Sequence, residues 1–174
     1  MANIATTDYV LFGERAEEFY ELISKEEPTA LCDLRDKCEI SQDVYCRGEI
    51  IGCLYDGDMR IDLTTETAWH ACDELFELIG EKFDLSVSWR ETEVGNEIFI
   101  THDEGEYFPE EVYVAACGRF IEVEGYYDSV DEAINLWCDE MDILRDPTIT
   151  VDYINDYHYS IDDDWFQIFY VKFV

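Results

Sequence analysis

Between Trp69 and Phe83, apolar side chains recur at i, i+3, i+6, i+7, i+10 and i+14 (Trp69, Cys72, Leu75, Phe76, Ile79, Phe83), and Glu74, Glu77 and Glu81 fall off that stripe. This period predicts an amphipathic helix with one buried face, with Gly80 as its C-terminal cap. A second helix follows from Val130, Ala133, Ile134, Trp137, Met141 and Leu144 on one face; Ser129 and Glu132 have the spacing of a capping box at its start. A third is predicted over Glu14 to Lys25. Ala16, Phe19 and Ile23 point inward there, Glu14, Glu17, Glu18 and Glu21 lie elsewhere on the surface, and Pro28 closes the helix.

Other stretches follow the two-residue period of strands. Leu85, Val87 and Trp89 alternate with Ser86, Ser88 and Arg90, the pattern of a half-buried strand. Glu49–Tyr55 and Met59–Leu63 flank Asp56-Gly57-Asp58, a hairpin turn signal because glycine supplies positive φ. Tyr9–Phe12, Ile98–Ile100, Val112–Val114 and Phe120–Val123 read as further short strands, with Val94-Gly95-Asn96 as a turn. Phe166–Val174, apolar on both faces apart from Gln167 and Lys172, suits an interior strand. Residues 30–45 fit neither period. The order of elements predicts an α+β fold with helices on one face of a mainly antiparallel sheet. At 174 residues a single α+β domain over 1–174 is expected, with two small lobes as the alternative.

The run Thr65-Glu66-Thr67-Ala68-Trp69, a helix ending at Phe83-Asp84-Leu85, and a strand into Glu91-x-Glu93-x-Gly95-Asn96 carry a family resemblance. Together with the N-terminal strand, Gly13 and helix, they resemble the central segment of the YubB-like family of plasmid- and phage-encoded proteins. The resemblance covers about a third of the chain. It departs where that family usually has Ser-Pro-Pro after the tryptophan; here the residues are His70-Ala71-Cys72. It implies a ferredoxin-like domain and a mobile-element origin, and it brings no catalytic residues.

Charge changes the picture most. Forty-three acidic residues against eleven basic ones leave a net charge of −32. A compact chain of this length has a radius of gyration near ~16 Å, and is thus roughly 40 Å across. Duplex DNA of that length carries about 24 phosphates, at one per ~1.7 Å. The protein therefore matches the charge density of DNA, at a cost in self-repulsion. An acidic tail is excluded by the 48% hydrophobic and 15% aromatic content. Salt adaptation fits the scarcity of lysine but sits poorly with many large aromatics and seven cysteines. Those cysteines form no CxxC pair, and the N-terminal residues lack a signal-like run. A cytoplasmic protein with reduced thiols is expected.

Enzyme motifs are missing: there is no GxSxG, phosphate loop, dinucleotide fingerprint or HExxH. His70, His102 and His158 lack a partner fixed by spacing. The closest calcium-loop alignment, at Asp56 and Asp58, places Arg60 at the fifth position and lacks the required glycine and final acid. No cofactor and no metal are expected. The aromatics lack the basic neighbours that nucleic-acid binding needs.

The predicted function is that of a non-enzymatic inhibitor that mimics nucleic acid and occupies the basic groove of a bacterial defence enzyme, a CRISPR effector or a restriction–modification enzyme. The alternative is an acidic interaction protein without mimicry. The expected partner is a nucleic-acid-binding protein, with no direct binding of nucleic acid or membrane; oligomeric state is left open. The candidate partner-binding residues are Glu91, Glu93, Glu97, Asp103, Glu104 and Glu106 around the central strands, Asp139, Glu140 and Asp142 on the late helix, and Asp162, Asp163 and Asp164 in the last connection.

Overall fold

The computed structural model describes residues 4–24, 29–93, 96–103, 106–116, 125–127, 129–162 and 167–174. The chain divides into two compact units, Met1–Phe108 with Val174 and Pro109–Phe173. Pro28, the turn at 94–95 and the strand read at 120–123 lie outside the described residues.

The first unit contains β1 (Ile4–Phe12), α1 (Ala16–Ile23), β2 (Thr29–Ala30), α2 (Leu31–Lys37), β3 (Gly48–Tyr55), β4 (Arg60–Ala68), α3 (Asp73–Phe83), β5 (Ser86–Glu93) and β6 (Ile98–His102). Its strands form a six-stranded sheet in the order β2-β3-β4-β1-β5-β6, and every neighbouring pair is antiparallel. Alternation decides what is buried. Tyr9 pairs with Leu63 and Trp89, and Leu11 with Ile61 and Val87, so these side chains share one face. They join Phe19 and Ile23 of α1, Leu31 and Leu34 of α2, and Leu75, Phe76 and Ile79 of α3 in one core. The Tyr9 ring stacks on Phe76 with centroids 4.0 Å apart.

Several elements differ from their sequence reading. β4 runs five residues past Leu63, because Thr65 and Thr67 continue the inward alternation as buried polar side chains. Trp69 is not on a helical stripe. It sits before α3, 52% exposed, with φ of 83°. Gly80 is no cap either. It is buried inside α3, where a Cβ would lie 2.8 Å from both Leu85 O and Val87 Cγ2. The left-handed terminal residue is Asp84, with φ of 53°. Leu31–Lys37, within the stretch that showed neither period, is helical.

The second unit contains β7 (Glu111–Ala116), β8 (Gly125–Tyr127), α4 (Val130–Glu140), α5 (Val151–Asp162) and β9 (Gln167–Lys172). Its sheet has the order β8-β7-β9, antiparallel throughout. β9 is thus an edge strand among the described residues, not the interior strand its apolar composition suggested. Ala133, Ile134, Trp137, Cys138, Ile149, Ile154 and Ile168 form the core. α4 begins as its capping spacing predicts: the Glu132 N–H donates to Ser129 Oγ at 3.3 Å. It ends earlier than read, and Leu144, beyond the turn at Asp142 (φ 53°), is 92% exposed. Among the described residues no helix is long and apolar enough to cross a membrane.

Candidate functional site

The sequence-predicted acids fall in both units and differ in exposure. Glu91 and Glu93 lie on β5 and are buried, so they cannot face a partner. The cause is pairing: Thr7 on β1 is the register partner of Glu91, which turns that side chain inward with Thr7. Glu97 is exposed in a turn at φ of 55°. Asp103 is half-buried and structural, its Oδ2 accepting the N–H groups of Tyr107 (3.0 Å) and Phe108 (2.8 Å). Glu106 is exposed, and Glu104 lies outside the described residues. Asp139, Glu140 and Asp142 are exposed at the end of α4 in the second unit. Asp162 ends α5 with its side chain outside the described residues, as are Asp163 and Asp164 entirely.

A further set of exposed acids, outside the candidate residues, lies on the helix layer of the first unit. α1 turns Phe19 and Ile23 into the core, which leaves Glu17, Glu18 and Glu21 exposed, with Glu14 just before them. α3 does the same with Leu75, Phe76 and Ile79, leaving Glu74, Glu77 and Glu81 exposed, with Asp84 just after. The two helices are neighbours. Arg15 Nη1 donates to Lys82 O at 2.7 Å, its guanidinium lies 5.2 Å from the Phe83 ring centroid, and the Phe19 and Phe83 rings are 5.3 Å apart. The start of α1 therefore lies against the end of α3. At 1.5 Å rise per residue, each set of four acids spans roughly 10–15 Å. Together they put eight exposed acids on two neighbouring elements, with Arg15 and Lys82 among them.

Bases do little to neutralise this face. Arg15 pairs with Glu18 (2.8 Å) and holds that carboxyl below its usual range; Lys82 pairs with Glu39 (3.2 Å). Elsewhere Arg35, Arg60, Arg90, Arg145 and Lys172 are each committed to one acid. Beside β3 and β4 a hollow of ≈ 260 Å³ is lined by Ile4, Ala30, Ala68, Arg47, Glu49 and Glu66, among others. Glu49 and Glu66 are direct cross-strand partners, a like-charge pair that disfavours the free protein.

The histidines and two buried cysteines have defined neighbours. The His70 ring lies tilted against Tyr45 with centroids 4.3 Å apart, and its Nδ1 is 2.7 Å from Ala71 O. His102 stacks on Trp89 at 6.1 Å. His158 is buried, and its Nε2 accepts the Trp137 indole N–H at 2.8 Å, which places the imidazole proton on Nδ1. Burial pushes the Cys38 thiol up to about 11 and the Cys72 thiol up to about 12, against nucleophilic reactivity. Among the described residues no group of three or more His, Cys, Asp or Glu is placed to hold a metal ion. No family model, no curated protein and no solved structure matches this chain.

Proposed function

We propose that this protein is a non-enzymatic inhibitor from a phage or other mobile element. It mimics nucleic acid and occupies the basic groove of a nucleic-acid-binding bacterial defence protein, a CRISPR effector or a restriction–modification enzyme. The observation that carries the reading is the pair of acidic helix faces on α1 and α3, eight exposed acids on two neighbouring helices. A rigid scaffold matters for this role. Carboxylates fixed on packed helices meet a row of Lys and Arg without the ordering cost that a disordered acidic tail incurs. Fast, electrostatically steered association follows from the net charge of −32, and the same charge repels nucleic acid itself. The protein acts in the cytoplasm of the host, where such enzymes hold DNA.

The first unit is proposed to be a ferredoxin-like domain of YubB-like descent, widened by two edge strands. Supporting this, the inner order β3-β4-β1-β5, with α1 after β1 and α3 after β4, is that of a split β-α-β-β-α-β unit, and β2 and β6 add to its edges. The test is stepwise neutralisation of Glu14, Glu17 and Glu21, then Glu74, Glu77 and Glu81, to glutamine. Inhibition of the target should weaken with each charge removed, because exposed pairs contribute only ~0.2–1 kcal/mol apiece. Intact inhibition after all six changes would defeat the proposal and favour an acidic interaction protein without mimicry.

A further inference from the structure

Four buried oxygen atoms on the helix-facing side of the first unit's sheet have no hydrogen-bond partner within the protein: Thr65 Oγ1, Thr7 Oγ1, Tyr9 Oη and Glu91 Oε1. The strand register brings them together. Thr7 is the partner of Thr65 on β4 and of Glu91 on β5, so three polar side chains form a row across three adjacent strands. Tyr9 stands two residues along β1 on the same face. Direct cross-strand neighbours have Cβ atoms ~4.5–5.5 Å apart, within reach of shared hydrogen bonding. The residues are 0%, 0%, 1% and 4% exposed for Thr65, Thr7, Tyr9 and Glu91. Such atoms are rare, because an unpaired polar group in a core forfeits its hydration.

The segment between β4 and α3 borders this row, and it is under backbone strain. Trp69 has φ of 83°, a left-handed conformation that is an outlier for a bulky side chain. The segment is anchored by the Tyr45 hydroxyl, which donates to Ala68 O, and by the Tyr45 ring tilted against His70. Its inner side meets Glu91. Burial, the largest influence, raises the Glu91 carboxyl above the ordinary range; the Ala71 N–H and His70 act against this, and Asp73 and Glu93 reinforce it. Tyr9 faces the same place from β1, and Cys72 and Asp73 add to the burial that keeps its phenol un-ionised. β6 contributes apolar Ile100 opposite Glu91, and Cys46 lies behind Cys72. α3 starts at Cys72 without a side-chain cap.

We propose that Glu91 is a proton-controlled latch on the Trp69–Cys72 segment. As a carboxylic acid it gains an O–H that can join the hydroxyl row, and the segment stays closed on the sheet. As a carboxylate it adds a buried negative charge beside Asp73 and Glu93, and the segment opens so that water can reach it. The strained Trp69 backbone is the hinge, because opening relieves it. A raised folded-state pKa sets the sign: closure is favoured below the ordinary glutamate range and is lost as pH rises through the raised value. This inference rests on the fold of the first unit alone. It needs no partner, so its failure and that of the proposed inhibitor role are separable.

The test uses the whole chain. Carbon-13 NMR follows the Glu91 carboxyl from about pH 4 to about pH 9, and hydrogen exchange follows the amides of Trp69 to Asp73, corrected for intrinsic pH dependence. The expected midpoint lies above the ordinary ~4.3 of glutamate. Protection of these amides should fall between the ordinary value and that raised midpoint, by up to tenfold per pH unit, and level off above it. In Glu91→Gln, protection should be independent of pH. The proposal is overturned if Glu91 titrates in the ordinary range, if protection ignores its titration, or if Glu91→Gln keeps the wild-type pH dependence. Should that variant fail to fold, the two wild-type curves decide the matter.

Discussion

Thr7 and Asp8 are adjacent on β1, yet their polar groups meet opposite conditions on the two faces of one sheet. Asp8 has partners: Arg90 Nη2 donates to its Oδ2 and Thr64 Oγ1 to its Oδ1, both at 3.0 Å, and the Arg90 guanidinium lies 4.9 Å from the Phe108 ring centroid. Removing one side of a mostly buried pair takes a charged partner from the other. Asp8→Ala should therefore cost about 3 kcal/mol in urea unfolding, at the low end for buried pairs because Asp8 keeps some exposure. Thr7 and Thr65 have no such partner to lose. Thr7→Val and Thr65→Val should be neutral or stabilising, by up to about 1–3 kcal/mol, because each removes a buried hydroxyl without a protein partner. A loss above about 1 kcal/mol for either valine variant would show that the hydroxyl is hydrogen-bonded in solution. None of this was legible in the sequence. Thr7 precedes the strand read at Tyr9–Phe12, and only the register reveals that it faces Glu91 under a helix.

Secondary structure with strong apolar periodicity was legible, and misreadings occur where polar residues are buried, as in β4, or where an apolar residue at a stripe's end is exposed, as at Trp69 and Leu144. α3 and α4 follow from their stripes, and the Ser129 cap follows from its spacing. α5 went unread because Val151–Asp162 buries only Ile154 and His158 among its described side chains, against several tyrosines and acids. Its N-terminal bond, from the Tyr153 N–H to Thr150 Oγ1 at 3.2 Å, involves a common residue with no companion signal. β4 was cut short because Thr65 and Thr67 look solvent-facing. The acidic helix pair was half legible: each exposed face could be read alone, but only tertiary packing places α1 beside α3. Two element-level predictions follow from close packing. Gly80→Ala should destabilise the first unit by about 1–3 kcal/mol, since its Cβ would meet the Leu85 carbonyl at 2.8 Å. Thermal melts would contradict this if the variant were as stable as wild type. Trp137 is fully buried in the second unit and donates to His158, so Trp137→Ala should cost about 3–5 kcal/mol. Loss of the near-ultraviolet signal of the second unit reports it.

For the whole molecule, the pH profile of stability has two limbs with different owners. Asp56 is held below the usual carboxylate range by the N–H groups of Asp58 and Arg60, and Asp146 by Thr148; each favours folding above its unfolded pKa and loses that as pH falls. Glu91 has the opposite sign and loses its contribution as pH rises. Melting temperature should therefore peak in mildly acidic solution, and Glu91→Gln should flatten the alkaline limb alone. A net charge of −32 adds diffuse repulsion, so added salt should raise the melting temperature at neutral pH. These tests probe the scaffold; mimicry of nucleic acid is probed by the salt dependence of binding. The partner is taken by affinity capture from host cells, purified, and titrated with this protein between about 50 and about 200 mM salt, with and without duplex DNA as competitor. The account predicts a fall of log affinity with log salt as steep as that of the partner for DNA, displacement by the duplex, and a shallower slope once the α1 and α3 acids are neutralised. An affinity that is constant across that salt range and indifferent to duplex DNA would contradict it.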